Sequence, residues 1–323
     1  MPRKKVDLFY LSNNSYGGWV TYTAHLFRCL EAAGIQTRLF RIGNRTENRE
    51  RNFGYGINYR NISIEDTHSL GNRKLIVAAA KRYLEETTWF YGTGAGLVVH
   101  DPTELKNLPP LGDNVVVIRR AGLQYLPDAT FIRHPYMARP SDGKVAKKVN
   151  ALSVCRIDFD KYTDILLDAN RLLPEDKRIE IRGFENRIYT KFKIIPEYPE
   201  WVQSRGAYPR TAEAAYEMLQ QASFAVDMSQ IKGDGGGTQY SFLEAMNAGA
   251  VNIIHNNWVR EGDDMVPGKN CLAVDNAEDL AEVLSRKPSG REHKRIVENG
   301  LQHLENHSPE KIGPQYKAFL DRL

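Results

Sequence analysis

Short runs rich in β-branched and aromatic residues alternate with helix-length segments along the chain, and this alternation limits the fold more than any other feature. VDLFYL (6–11) is followed by the glycine-bearing turn SNNSYGG, a helical pattern over 19–33 and a second strand, IQTRLFRI (35–42). Gly34 falls where a C-terminal cap belongs. A strand, a crossover helix and a second strand form the unit from which parallel sheets are built. Further strands are predicted at 97–100, 114–120 and 129–137, a helix at 72–86, and irregular polar chain at 43–65. After the polar linker ARPSDGKVAKKV (138–149) the alternation restarts: strand 151–157, helix 161–173, strand 178–183, helix 211–221, strand 223–229, helix 238–248 and strand 250–255. Helices at 277–285, 290–304 and 309–322 close the chain. The predicted class is α/β, with two Rossmann-like, doubly wound domains over 1–140 and 141–305 that face a ligand cleft at their strand C-termini, and a terminal helical segment over 306–323. A chain of 323 residues can bury two such cores.

Composition removes several function classes. No apolar run approaches the ~20 residues of a membrane span, and the basic start MPRKKVDLFYL carries neither the apolar length nor the cleavage site of a signal peptide. Three scattered cysteines, Cys29, Cys155 and Cys271, fit a reducing, cytoplasmic location and no metal cluster. Net charge is +4, unevenly spread. Residues 1–140 hold 19 Lys and Arg against 12 Asp and Glu, a net of +7; the remainder holds 25 against 28, a net of −3. Either the first half faces an anion or the surface is unevenly decorated.

Three stretches place reactive or ligand-binding residue types at successive strand ends. In SNNSYGGWV (12–20), Gly17 and Gly18 lack Cβ atoms and so let a ligand approach backbone amides and a helix N-terminus; an ordinary tight turn is the competing reading. A dinucleotide fingerprint is excluded, because it needs three spaced glycines and an acid ending the next strand, where this chain has Arg41. In SVCRIDFDKYTDILLDANRL (153–172), Arg156 ends a strand and Lys161 opens a helix. The two are either an anion site or two solvated charges. Asp158 and Asp160 mimic a metal-binding acidic pair but lie in a turn between those cations, so no metal site is predicted. In the third stretch, strand 223–229 ends in Asp227, Met228 and Ser229, and the loop QIKGDGGG runs to Thr238, the predicted N-cap. Gly235, Gly236 and Gly237 expose amide N–H groups to phosphate oxygens. Phe242, Ala245, Met246 and Gly249 form an apolar stripe. Glu244 lies off it, placed either to accept hydrogen bonds from ribose hydroxyls or simply to face solvent.

In this order the motifs resemble the GT-B glycosyltransferases, in particular the large retaining family 4. The resemblance spans nearly the whole chain and is densest over 151–285. That family has a strand ending in Gly-Arg-Leu, with Lys-Gly five residues after the Arg; CRIDFDKY keeps Arg156 and Lys161 at this spacing, with Cys155 and Tyr162 in place of glycines. LEAMNAG (243–249) is similar to its Leu-Glu-Ala-Met-x-x-Gly. VPGKNCLAVDNAEDLAEVL (266–284) is similar to its next block, and SPEKIGPQYKAFL (308–320) to its closing helix, which in this fold crosses back to the first domain. The resemblance implies that Arg156 and Lys161 bind the donor diphosphate and stabilise the leaving nucleotide. It implies that Glu244 holds the ribose, that Gly17 and Gly18 approach the phosphates and the sugar, and that His100 touches the sugar. The family's first glutamate lies eight residues before its second; that position here is Gly236, with Asp234 as the substitute two residues earlier.

The activity implied is transfer of a hexosyl or pentosyl group from a nucleoside-diphosphate sugar, such as a UDP- or GDP-sugar, to a hydroxyl, retaining and independent of metal or cofactor. The acceptor belongs against the first domain. There RLFRIGNRTENRERNFGYGINYRN (38–61) carries six arginines, against Glu47 and Glu50, interleaved with Phe53, Tyr55 and Tyr59. This composition suits phosphates and bases, or a solvated loop. The small size and atypical loops are similar in general appearance to virus-encoded glucosyltransferases that modify hydroxymethyl-pyrimidines in DNA, whose target base must be flipped out of a duplex. The alternatives are a glycan, lipid or small-molecule acceptor, and a protein that binds nucleotide sugars or nucleic acid without turnover.

Overall fold

The computed structural model describes residues 5–10, 18–78, 94–100, 113–140, 146–204, 211–230, 236–260, 262–286 and 290–323. The chain divides into two units: residues 1–137 with 305–323, and residues 138–304.

The first unit is built on eight strands: β1 (Lys5–Tyr10), β2 (Gln36–Ile42), β3 (Arg51–Gly54), β4 (Ile57–Ile62), β5 (Arg73–Ala78), β6 (Gly96–Val99), β7 (Val115–Val117) and β8 (Thr130–Phe131). Their order is β3-β4-β2-β1-β5-β6-β7-β8, parallel throughout except for the β3–β4 hairpin. β6 and β7 are buried along their whole length, as strands covered on both faces must be. Helix Gly18–Ala32 returns the chain from β1 to β2, and Gly34, at φ +78°, ends it as expected. Helix Pro309–Arg322 packs on helix Gly18–Ala32, where the buried hydroxyls of Tyr22 and Tyr316 meet. The backbone of Tyr136 donates to the His307 carbonyl at 2.8 Å, tying the chain at 305–307 to the same unit.

Two expectations fail in this unit. The helix predicted at 72–86 is, over Arg73–Ala78, the strand β5, seated between β1 and β6; 79–93 lies outside the described residues. The irregular chain expected at 43–65 contains the β3–β4 hairpin and the short helix Ile64–Thr67, capped by the Ser63 hydroxyl. Of the strand expected at 129–137, only Thr130–Phe131 pairs.

The second unit has five parallel strands, β9 (Val149–Val154), β10 (Ile179–Arg182), β11 (Ala222–Asp227), β12 (Val251–His255) and β13 (Cys271–Val274), in the order β10-β9-β11-β12-β13. Successive residues of a strand point to opposite faces, and both faces are apolar here. Ala151, Phe224 and Val226 enter one core with Leu166, Leu167 and Leu280, whereas Leu152 and Ala225 enter another with Tyr216, Leu219 and Ala245. Helices Thr163–Leu172 and Ala277–Ser285 pack together on the first face; helices Ala212–Gln221 and Tyr240–Asn247 cover the second. The strand order reverses between β9 and β11, and a sheet of this kind opens a crevice at such a switch point.

Candidate functional site

The crevice at the β9–β11 switch point is narrow and is lined by Val154, Ala225, Asp227, Ser241 and Glu244 among others. Three of these are polar, and each is placed by the end of β11 or by the first two turns of helix Tyr240–Asn247. Asp227 is the last residue of β11, only 6% exposed. Its carboxylate accepts from Ser241 Oγ and from Gln239 Nε2, both at 2.8 Å, and from the Ser229 amide at 3.0 Å. Gln239 Nε2 also reaches Ser229 Oγ at 3.0 Å, and the Trp258 indole donates to the Ser229 carbonyl at 2.7 Å. Burial alone would push the Asp227 carboxyl up; the Lys161 charge and the hydrogen bonds from Ser229 and Ser241 outweigh it and hold it below the usual carboxylate range.

Lys161 is therefore within electrostatic reach of Asp227, and also of the half-buried Cys155 at the end of β9. It does not open a helix as expected. It ends the short 3-10 turn Phe159–Lys161, which Asp158 caps by accepting from the Phe159 amide at 2.8 Å. Tyr162, at φ +47°, separates this turn from helix Thr163–Leu172. That left-handed conformation suits glycine, and a side chain there carries ~1–2 kcal/mol of strain. Tyr162→Gly is accordingly expected to raise the free energy of unfolding by about 0.5–1 kcal/mol, after the larger unfolded-state entropy of glycine is subtracted. A higher urea midpoint at unchanged m-value is the measurement.

Arg156, at the end of β9, is exposed, and its guanidinium is shared between Asp158 and Asp160, each at 2.7 Å. Both acids of the DFD turn thus bind a cation of their own loop, and a phosphate at Arg156 would share it with two carboxylates.

The glycine-rich loop enters the described residues at Gly236; Asp234 and Gly235 lie outside them. Gly236 and Gly237 are buried and both take φ +77°, which only glycine adopts freely. A Cβ on Gly236 would lie 2.2 Å from Asp263 Oδ2 and 3.0 Å from Arg260 Cγ. A side chain here, such as the glutamate of the family pattern, would be strained at this φ and would have to displace the Asp263 carboxylate. Thr238 is not the N-cap. It is fully buried, and helix Tyr240–Asn247 starts one residue later, from Gln239. Glu244, in the second turn, is half-buried. Burial pushes its carboxyl up to about 7, with a smaller opposing effect from Arg139. Arg139 is held close by Asn247, whose side chain pairs with both its amide and its carbonyl, at 2.7 and 3.1 Å.

In the first unit, Gly17 lies outside the described residues, and Gly18 is the exposed first residue of its helix, with open space where a Cβ would stand. Beside it Trp19 stacks on His100, ring centroids 3.4 Å apart and 17° from parallel. His100 follows β6, contacts Tyr22 edge-on at 4.5 Å, and has no hydrogen-bond partner at its buried Nε2. Burial, with His134 and Arg119 nearby, holds it well below the usual imidazole range, so it is neutral. The structure thus sets Trp19, next to Gly18, on His100, and puts Lys161 within electrostatic reach of Asp227, which shares its crevice with Ser241 and Glu244. Sequence reasoning missed the fixing role of Asp227, although an acid closing an apolar strand, SFAVD, is a readable signal.

The arginine-rich segment is largely paired with acids of the first unit, two of them its own and one on β1. Arg38 binds Asp7 through two hydrogen bonds of 2.7 and 2.9 Å, Arg51 binds Glu47 at 2.6 Å, Arg60 binds Glu50 at 3.0 Å, and Arg45 lies 3.7 Å from Glu47. The hairpin tip is seated on helix Gly18–Ala32, where Arg28 donates to the carbonyls of Tyr55 and Gly56 and the hydroxyls of Thr21 and Tyr55 meet at 3.1 Å.

No protein-family model matches the chain, and no curated protein matches its sequence. Solved structures do match in shape. HepE from Anabaena, solved in complex with UDP, superposes with a TM-score of 0.72 at 12% identity, covering 99% of this chain and 100% of its own. Sucrose-phosphate synthase from Thermosynechococcus elongatus gives 0.71 at 13% identity, over 99% of each chain. The pneumococcal O-GlcNAc transferase GtfA, solved with UDP and GlcNAc, gives 0.68 at 10% identity, over 100% of this chain and 99% of its own. At such identities the likeness is one of fold, and the fold is two Rossmann-like α/β units, the GT-B class.

Proposed function

We propose that the protein transfers a glycosyl group from a nucleoside-diphosphate sugar, with UDP as the nucleotide, to a hydroxyl acceptor. The observation that carries this reading is the meeting of Asp227, Ser241 and Glu244 in a crevice at the switch point of a parallel sheet, with Lys161 within electrostatic reach of Asp227 and a positive-φ glycine pair separated by two residues from the helix that carries Ser241 and Glu244. UDP is preferred because HepE and GtfA, which share the fold, were solved with it.

In this reading the bond from the sugar C1 to the diphosphate oxygen breaks as the acceptor oxygen bonds to C1. The acceptor proton passes to the departing phosphate, so UDP and the glycoside leave and the configuration at C1 is retained. Negative charge grows on the diphosphate; Lys161, Arg156 and the amides of the glycine loop provide the positive charge that stabilises it without a metal. Glu244 accepts from the ribose hydroxyls. Neutral His100, held by Trp19, gives Nε2 to a sugar hydroxyl, and Gly18 leaves its loop open to the phosphates. Asp234 remains the loop carboxylate assigned to the transferred sugar. The acceptor reading favoured is a glycan, lipid headgroup or small molecule. Four of the six arginines that suggested DNA are paired with Asp7, Glu47 or Glu50, which leaves few for a phosphate backbone.

Glu244 provides the test. Its folded carboxyl titrates near 7, above its usual 4.5. A raised value means that the folded state favours the proton: stability is full below about pH 4.5 and is lost as pH rises through 7. For a half-buried group, screening limits that loss to about 1–2 kcal/mol. Glu244→Gln is expected to abolish this slope in the ligand-free protein. UDP affinity of the wild type should rise between pH 6 and 8, as the ionised carboxylate becomes the better acceptor, while Glu244→Gln binds roughly tenfold more weakly and keeps only the smaller step that the terminal phosphate of UDP, with its second ionisation at about pH 6, contributes. Calorimetric titration with UDP at both pH values reads this. Release of UDP from UDP-sugars separates an enzyme from a binding protein, and salt-sensitive duplex binding separates a DNA acceptor from the others. Absence of binding by any nucleoside diphosphate or its sugars overturns the proposal.

A further inference from the structure

Residues 187–197 form one helical run in the second unit, with a wider π turn over Thr190–Ile194 between two short α segments. Its inner side is fixed. Tyr189 and Ile194 are buried in the core, and Asn186 caps the start by accepting from the amides of Ile188 and Tyr189. Its outer side is unusual. The exposed positions are Arg187, Ile188, Lys191, Phe192, Ile195, Pro196 and Glu197: four apolar side chains, two cations and, at the last position, one acid. Ile188 is 62% exposed, Phe192 68% and Ile195 45%. Beside them Phe159, 55% exposed, packs on Tyr189 at 4.7 Å. Half of the eight large apolar side chains exposed among the described residues therefore gather here.

We infer that this face docks on an anionic bilayer surface. An apolar stripe with cations on its margin is the composition of a helix lying in a membrane interface, where Phe and Ile enter the acyl boundary and Arg or Lys meet lipid phosphates. The cations decide against a protein partner. Lys191 sits in the middle of the patch, its ammonium 5.2 Å from the Phe192 ring centroid. The cores of protein interfaces are depleted in lysine, because a protein partner would strip water from the ammonium. At a bilayer the same side chain keeps its head among phosphates while its stem lies on the apolar surface. Glu197 is bound to Lys193 at 2.8 Å, and the exposed Glu185 just before the run leaves Arg187 and Lys191 with a net positive charge.

The face is continuous with the loop that carries Arg156 and Lys161. The Ile157 amide donates to the Phe184 carbonyl at 2.7 Å, and Asn186 Nδ2 donates to Asp158 at 2.8 Å. Docking would therefore hold that loop at the lipid surface. If the glycosyl-transfer reading is right, this favours acceptors borne on lipid; the docking itself does not depend on that reading.

Co-sedimentation with phosphatidylcholine vesicles, and with vesicles containing one third phosphatidylglycerol, tests the inference without nucleotide. Two cations at an anionic surface are expected to give roughly thirty-fold tighter binding to the anionic vesicles. The double variant Ile188→Ser/Phe192→Ser should bind those vesicles at least ~10-fold more weakly. Arg187→Glu/Lys191→Glu should lose the preference for anionic lipid. Both variants change exposed side chains only and should keep the wild-type thermal midpoint and UDP affinity, so loss of vesicle binding and loss of the donor site are told apart. No sedimentation of the wild type with anionic vesicles, or equal binding by the serine variant, overturns the inference. So does a wild-type dimer in light scattering that the serine variant converts to monomer, since a second copy would then cover the face.

Discussion

Lys161→Ala is expected to slow UDP release from a UDP-sugar by roughly 10²–10³-fold, with a much smaller change in KM. The size follows from where the charge acts. A cation already in place beside a growing phosphate charge stabilises the transition state more than the bound donor, and removing one such group from a preorganised site costs about 3–4 kcal/mol of barrier. The structure adds a reason for Lys161 to dominate over Arg156. The Arg156 guanidinium is divided between Asp158 and Asp160, whereas Lys161 has no carboxylate within 4 Å among the described residues, and its charge reaches buried Asp227 through space. A donor phosphate can therefore take up Lys161 without first displacing a carboxylate. The same substitution removes the charge that holds Asp227 ionised. Asp227 has a lowered folded value, so its contribution to stability is present at neutral pH and lost as pH falls through that value. In Lys161→Ala this loss should begin at a higher pH. Lys161→Arg keeps the charge and should restore the acid stability while recovering only part of the rate. Unchanged turnover in the alanine variant, with acid stability also unchanged, would remove Lys161 from the diphosphate role altogether.

The parts of this molecule that could be read from its residues are those where period and chemistry agree. The second sheet was legible because its strands are short and separated by amphipathic helices, and because LEAMNAG and the Arg156–Lys161 spacing fall at strand ends. RKLIVA was misread as helix. A strand buried on both faces has no alternation to reveal it, and the alanines that follow favour the helical reading. The β3–β4 hairpin was missed for the opposite reason. It lies at the sheet edge, where Asn and Arg on an exposed strand look like loop, and its ion pairs join residues four to ten apart that no local period relates. Tyr162 shows the limit of a motif comparison. Where the family pattern that this stretch resembles has glycine, Tyr162 has the left-handed backbone that glycine would suit, with a side chain on it. Gly236 shows the converse. The family's glutamate is replaced here by a glycine at positive φ, where a side chain would be strained and would press on the Asp263 carboxylate.

Gly183→Ala should be the most damaging single-methyl change in the second unit, and nothing in the run RIEIRG announces it. A Cβ at this position would stand 1.7 Å from the Cys155 carbonyl oxygen and 2.9 Å from its carbon. The obstacle is backbone, which cannot rotate away as a side chain would. On either side the two segments are laced together, Ile157 donating to Phe184 at 2.7 Å and Asn186 donating back to Ile157 at 2.9 Å. Relief of the overlap requires the β9 end and the chain after β10 to separate by on the order of 1 Å, at a cost of about 3 kcal/mol. The displaced segment is the one from which Arg156 and Lys161 hang. The variant is therefore expected to lose donor affinity by at least ~10-fold under conditions where it is still folded, because a shift of this size misaligns charged groups with a bound phosphate. Urea titration and calorimetric titration with UDP, run on the same preparation, give the two numbers independently. If the chain accepts alanine with no fall in urea midpoint, the close approach of these strand ends is not as described. If the midpoint falls but UDP binds as before, the loop is dispensable for the nucleotide, and the diphosphate must be held by the glycine pair and the helix that follows it.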